Sequence, residues 1–382
     1  MGVSDFGLTA PARTIFGRDC RGRAVEMIPE FGRRLLLVRG GSVGWAEDLT
    51  SALSTSGCAV EVLRSQGEPD LASVRQGVSV ARAHRADCVV AVGGGSVIDL
   101  GKAVAGLCTS PGDPADYLEL GDQAPARLEA PVPFVAIPTT AGTGAEATRN
   151  AVIGVPERQA KISLRDPRLV PDLAIVDPAL SDGCPRALTL ATGLDAITQL
   201  IESYLCNRAN PLTDALTAVT IPGAITALVT LMRSEDPKAR EVMARASYLS
   251  GVALANSGLG VVHGLASVIG GYGGAHGAIC GRLLAPALKV NAAVAQRQGL
   301  DTARFRQVDH WLSDGFGESP GDGVQALRAF VDDHDLPGLG ALGVPSDGMA
   351  EIGQRGLSAS STRANPVPLD QGELQEILRS AG

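Results

Sequence analysis

The first 180 residues alternate between short runs of branched apolar side chains and stretches in which apolar positions recur every three or four residues. "RLLLV" (34–38), "AVEVL" (59–63), "CVVAV" (88–92) and "FVAIP" (134–138) have strand character, while 43–56, 70–84 and 96–108 carry helical spacing. Strands separated at this pitch by a helix are predicted to pair in parallel, because a parallel return needs a crossover connection. "KISLR" (161–165) and "LAIVD" (173–177) add two strand candidates, and the turn-rich piece from Ser110 to Pro131 reads as a surface excursion. After "DPALSDGCPR" (177–186) the pattern changes to long Ala- and Leu-rich segments at 186–206, 212–232, 237–257, 275–297, 302–315 and 321–334. The expected architecture is therefore an α/β domain with a parallel sheet, residues 1–180, followed by an all-α domain, residues 181–382.

Composition narrows the class of protein. The mean hydropathy is only +0.14, and no uninterrupted apolar run reaches the roughly 18 residues of a membrane span, so no membrane partner is expected. No secretory signal is visible at the N-terminus. Seven scattered cysteines, odd in number and without CxxC spacing, fit reduced thiols and a cytoplasmic location. A formal charge of −8 without basic clusters argues against nucleic acid. Only four of the 33 basic residues are lysines (102, 161, 238 and 289), which singles them out for inspection.

Chemistry first shows at "VVAVGGGSVIDLGKAVA" (89–105), where an apolar strand runs through Gly93, Gly94, Gly95 and Ser96 into a helix bearing Asp99 and Lys102. Glycines at such a turn let phosphate oxygens reach backbone N–H groups, and the helix N-terminus adds about half a positive charge. The motif is neither GxGxxG nor a P-loop, and a plain tight turn is the alternative reading. A second strand-end loop, "IPTTAGTGAEATRNAVI" (137–153), offers the hydroxyls of Thr139, Thr140 and Thr143 to a nucleotide or, alternatively, to a short helix at 143–148. Two such loops on one sheet favour dinucleotide binding, because ligands of these sheets collect beyond the strands' carboxyl ends.

In the helical half, "GLDAITQLIE" (193–202) places Asp195 and Gln199 one turn apart on one helix face. Two ligands of one ion suit that spacing, and so does a side-chain hydrogen bond. Downstream, "VVHGLASVIGGYGGAHGAIC" (261–280) sets His263 and His276 before glycines in an apolar region, whereas the other three histidines lie in charged stretches.

With these motifs in this order over nearly the whole chain, the sequence resembles the iron-containing, or group III, alcohol dehydrogenase family. The resemblance implies NAD(P)-linked hydride transfer between a small alcohol and its aldehyde or ketone at a divalent metal, and dimers or larger homo-oligomers. In that family the metal is held by an Asp and a His four apart plus two further His; carried over, the ligands are Asp195, Gln199, His263 and His276. Gln199 departs from the pattern. A neutral amide is a poorer donor than imidazole, so Fe2+ or Zn2+ at reduced occupancy is expected. Cys280, one turn after His276, reads as a small buried residue rather than a competing soft ligand. The resemblance also implies catalytic roles for His263, for Lys161 near the nicotinamide ribose, and for Ser267, which stands where many members carry another His.

Cofactor preference is sought after the "LLLV" strand, where an acid would hold the adenosine 2′-hydroxyl. The chain reads Arg39, Gly40, Gly41, Ser42 there, so NADP(H) is expected over NAD(H). A metal-independent maleylacetate reductase-like enzyme and a dehydroquinate synthase-type lyase are the alternative readings of the same motifs.

Overall fold

The computed structural model describes residues 6–41, 43–120 and 124–382. They form two compact units. The first comprises Thr9–Thr140 and Gly144–Asp182; the second comprises Gly183–Gly382 with Ala141–Thr143 and residues 6–8.

The first unit is built from β1 (Arg13–Phe16), α1 (Ala24–Met27), β2 (Arg34–Arg39), α2 (Trp45–Thr55), β3 (Ala59–Arg64), α3 (Leu71–His84), β4 (Cys88–Gly93), α4 (Gly95–Leu107), β5 (Phe134–Pro138), β6 (Asn150–Val155), β7 (Ala160–Arg165) and β8 (Leu173–Val176). Six strands pair in parallel in the order β1-β8-β5-β4-β2-β3. Side chains alternate across the sheet: Leu36, Val38, Val89 and Ala91 pack with α3 and α4, while Leu35, Leu37, Val90 and Val92 pack with α1 and α2. Both faces are thus covered, which explains why these strands read as continuous apolar runs. The chain order reverses between β2 and β4, so the switch point of the sheet opens at their carboxyl ends.

The strand candidate "KISLR" is β7, and its partner, which the sequence did not indicate, is β6, antiparallel in a separate two-stranded ribbon. The predicted helix at 143–148 shrinks to one 3-10 turn at Ala145–Ala147, and the chain enters β6 at Asn150. Gly144, at φ +58°, supplies the left-handed residue that starts this turn.

The second unit is helical: α5 (Arg186–Leu205), α6 (Pro211–Leu231), α7 (Pro237–Asn256), α8 (Val261–Ile269), α9 (His276–Arg297), α10 (Ala303–Phe316), α11 (Gly323–Asp333), α12 (Met349–Ser358) and α13 (Gln371–Ala381). Side-chain caps fix several starts, as at Asn210 before α6 and Asp236 before α7. α5 is buried along most of its length, packed against α6, α7 and α9. The expectation about apolar length is corrected for two helices. By length and composition α6 and α9 are apolar enough to cross a membrane; the apolar window of α9 is 83% buried within the structure, that of α6 44%. Ala, Val and Leu dispersed among isolated polar residues reach that hydropathy without an uninterrupted run.

Candidate functional site

The glycine loop forms the junction of β4 and α4. Gly93 ends the strand, Gly94 is the N-cap in extended conformation, and Gly95 and Ser96 begin the helix with no side-chain cap. Gly94 lies close to the second loop: a Cβ there would sit 3.2 Å from Thr140 Oγ1, a tight contact that the threonine side chain would have to ease. Thr139 N donates to Gly93 O at 3.0 Å, so the two predicted loops abut along the β4–β5 pair. On the other side Gly40 N donates to Val92 O at 3.3 Å, bringing the end of β2 to the same junction. Arg39, Gly40, Gly94, Gly95, Ser96, Thr139 and Thr140 therefore gather around the switch point. Thr143 belongs to the helical unit, where its carbonyl accepts a hydrogen bond from Gln199. Ser42 lies outside the described residues.

Three residues assigned to the cofactor are otherwise engaged. Lys102 is fully buried, and its ammonium donates to Ala145 O, Thr148 O, Thr148 Oγ1 and Asn150 O at 2.7–3.1 Å. It ties α4 to the turn before β6, so the nucleotide-binding role that its place on the loop helix and the scarcity of lysine suggest meets an ammonium already taken up by protein acceptors. Lys161 pairs with Glu68. Arg39 is buried and its Nη1 donates to Glu47 Oε1 at 2.9 Å, so the carboxylate missing from the local sequence arrives from α2, eight residues on. Arg39 and Glu47 also border an 860 Å³ groove with Arg64, Ser65 and Gln66, whose lining includes none of Gly93–Ser96.

The second constellation lies wholly within the helical unit. α5 presents Asp195, α8 presents His263, and the first turns of α9 present His276 and Cys280; one donor atom from each falls within 4.8 Å of all the others. Asp195 Oδ1 stands 3.5 Å from His263 Nε2 and 3.8 Å from His276 Nε2. His276 Nε2 is 3.7 Å from Cys280 Sγ. Close helix packing makes this convergence possible: a Cβ on Gly277 would lie 2.4 Å from Ala191 O, so only glycine lets α9 start against α5.

His263 is held from behind. Its Nδ1 is 2.6 Å from Glu202 Oε2, and the same carboxylate accepts Val262 N at 2.7 Å and His263 N at 3.3 Å. Asn365 Oδ1 accepts Val261 N at 3.0 Å. Together they satisfy the first N–H groups of α8, which no residue of its own caps. A Cβ on Gly260 would meet both acceptors within 2.8 Å.

Among the described residues, Asp195 Oδ1 and His263 Nε2 are buried side-chain atoms without a hydrogen-bond partner. Such atoms are costly unless something else engages them. An ion between them would satisfy both, so the donor set fits a divalent metal. Burial opposes protonation of His263, but Cys280, Asp195 and Glu202 outweigh it and raise its pKa well above the ordinary imidazole value. Burial pushes Asp195 up, yet His276 and His263 prevail and hold it below the usual carboxylate range.

Gln199 is the departure from expectation. Its Nε2 donates to Thr143 O at 3.0 Å and to Ser250 Oγ at 2.8 Å, leaving only the amide oxygen for a cation. Cys280, expected to be packing, joins the donor cluster instead. Ser267 Oγ donates to Gly264 O at 2.8 Å within its own helix. Sequence reasoning missed Glu202, although it follows Asp195 and Gln199 at the i, i+4, i+7 positions of one helix face.

A parallel sheet with a glycine loop at its switch point, and a helical unit with buried convergent metal donors, define the class of metal-associated nicotinamide dehydrogenases. The comparisons with known proteins agree. Residues 11–178 match the model for "Iron-containing alcohol dehydrogenase", and residues 189–382 match "Fe-containing alcohol dehydrogenase family, C-terminal". The chain belongs to the iron-containing alcohol dehydrogenase family. It is 30% identical over 385 residues to alcohol dehydrogenase 4 of Saccharomyces cerevisiae (strain YJM789), covering 98% of each chain. It is 31% identical to the NAD-dependent methanol dehydrogenase of Bacillus methanolicus, covering 97% of this chain and 98% of that one. A crystal structure of 1,3-propanediol oxidoreductase superposes with a TM-score of 0.86 at 29% identity, covering 99% of this chain and 100% of that one. The protein is an oxidoreductase that interconverts an alcohol and its carbonyl compound.

Proposed function

We propose that the protein transfers hydride between nicotinamide C4 and the carbinol or carbonyl carbon of a small alcohol, aldehyde or oxo acid, at a divalent centre held by Asp195, His263 and His276, with Gln199 one helical turn from Asp195. The observation that carries this reading is the pair of buried, unpartnered ligand atoms Asp195 Oδ1 and His263 Nε2 beside His276. When bound, a divalent cation there supplies Lewis acidity toward the substrate oxygen. The protein's own part is orientation. Glu202 fixes the His263 ring through Nδ1, so that Nε2 is the nitrogen presented to the cluster. Asp195 supplies a carboxylate kept ionised by its two imidazole neighbours. His276, with 31% of its side chain exposed, gives the cluster its open side toward substrate, whereas Asp195 and His263 are closed off.

The junction of Gly94, Gly95, Ser96, Thr139 and Thr140 supports pyrophosphate binding at the α4 N-terminus. The expected NADP(H) preference rested on the lack of a carboxylate near Arg39. The Arg39–Glu47 ion pair removes that ground and favours NAD(H) as the second reading. The B. methanolicus relative is named as NAD-dependent. Ser267 and Lys161 remain proposed participants, though Ser267 serves its helix and Lys161 would first have to leave Glu68. Seven free cysteines support a reducing, cytoplasmic setting.

The test is reduction of short aldehydes and oxo acids with NADH and NADPH, before and after dialysis against a strong chelator, with zinc or iron(II) added back. Turnover that falls on chelation and returns with metal is expected. Full activity in metal-free protein would instead favour the maleylacetate reductase-like reading.

A further inference from the structure

The metal site carries an anomaly of its own. On α5 the residue one turn after Asp195 is an amide; on α9 the residue one turn after His276 is a thiol. The orientation of the amide is settled by its partners. Thr143 O can only accept, and Ser250 Oγ spends its own proton on Ser247 O at 2.8 Å, so Gln199 Nε2 serves both. The thiol behaves differently: Cys280 is fully buried, and its Sγ faces His276 Nε2 and lies within the same 4.8 Å cluster as the two unpartnered atoms.

We propose that Cys280 supplies a thiolate as the fourth protein donor of an Asp195/His263/His276/Cys280 centre, and that this centre is built for zinc. This rests on the metal reading above and deepens it. Metal bonds of about 2.3 Å to sulfur and about 2.0–2.1 Å to nitrogen or oxygen put tetrahedral donors roughly 3.3–3.6 Å apart. Three of the six separations in the cluster, 3.5, 3.7 and 3.8 Å, lie close to that range and all fall within 4.8 Å, so side-chain rotation is what closes the four donors on one ion. Charge points the same way. Asp195 is the one anionic group among the other donors, with Glu202 acting only at one remove through His263, and a thiolate adds negative charge in direct contact with a buried dication, which a neutral amide cannot. Loading releases the thiol proton to solvent, and no electrons move. Sulfur is a softer donor than imidazole or amide oxygen, so the exchange of donors moves selectivity away from iron(II) toward zinc.

Chelator-stripped enzyme reloaded with cobalt(II) reads the donor set directly. Wild type is expected to show a near-ultraviolet thiolate-to-cobalt charge-transfer band with strong four-coordinate visible bands. Gln199→Ala should keep the charge-transfer band, and Cys280→Ser should lose it. Because ligand-orienting partners already contribute 10–100-fold in affinity, Cys280→Ser should weaken zinc binding by about 100-fold or more. X-ray absorption of zinc-loaded wild type needs no variant to fold: one sulfur neighbour at about 2.3 Å supports the proposal. Metal bound by nitrogen and oxygen only, with no charge-transfer band, overturns the role of Cys280 and leaves the metal reading standing. Failure of wild type to take up either metal overturns both.

Discussion

Glu202 Oε2 lies 2.6 Å from His263 Nδ1, and the same carboxylate caps the backbone of the helix that carries His263. One side chain thus fixes both the ring rotation of a proposed ligand and the start of its helix. Glu202→Gln keeps much of the shape but removes the charge that makes Nδ1 the protonated nitrogen. Zinc affinity should fall about 10–100-fold, read by equilibrium dialysis. Glu202→Ala additionally strips two helix N–H groups of their acceptor, which should cost about 1–3 kcal/mol in thermal melting. Unchanged zinc affinity in both variants would remove Glu202 from the site.

The approach of α9 to α5 depends on Gly277. Adding a methyl group places carbon 2.4 Å from Ala191 O and 3.3 Å from Asp195 Cβ, and backbone cannot swing aside as a side chain can. Gly277→Ala should therefore lower stability by about 1–3 kcal/mol. It should also lower metal stoichiometry by separating His276 from Asp195. Calorimetric melting and metal analysis of the same preparation check both, and a variant of full stability and metal content would show that the helices can slide.

Much of this was legible from residue order alone, for a physical reason. The parallel strands are buried on both faces, so their apolar runs are continuous, and Asp195, His263 and His276 stand out as polar groups where burial tolerates few. What escaped depends on partners distant in sequence. β6 and β7 stabilise each other across a separate ribbon, and neither carries a signal of that pairing. Lys102 sits on the phosphate-loop helix, yet its ammonium is taken up by carbonyls 43–48 residues away. Cys280 had the helical spacing of a ligand, but a thiol in an apolar run is more often packing, and only the fold brings Asp195 to it.

Cofactor preference hangs on the Arg39–Glu47 pair. With its guanidinium paired at 2.9 Å, Arg39 offers little to a 2′-phosphate. Glu47→Ala frees it. The ratio of kcat/KM for NADPH over NADH should rise about tenfold, equivalent to one charge-assisted contact of about 1.4 kcal/mol. Steady-state kinetics with both cofactors measure this. A ratio unaltered by the substitution would mean that neither residue meets the adenosine ribose.

Glu146 gives the first unit a pH-dependent stability. It is almost fully buried in the turn that also receives Lys102, and burial, only partly offset by its own backbone amide and Lys102, raises its pKa from 4.5 to about 7. A carboxyl with a folded-state pKa above its unfolded value binds its proton more tightly when folded. The associated stability is fully present below the unfolded value and is lost as pH rises through about 7. A shift of this size corresponds to about 3 kcal/mol, or roughly 6–12 °C in melting temperature for a unit of this size. Burial lowers Lys102 to about 8, which produces the opposite slope, with stability gained above that pH, so the two effects occupy separate windows. Glu146→Gln keeps the shape of the neutral carboxyl and cannot ionise. It should melt close to wild type at pH 5 and well above it at pH 7.5; parallel melting curves across that range would mean that Glu146 ionises as freely in the folded chain as in the unfolded one.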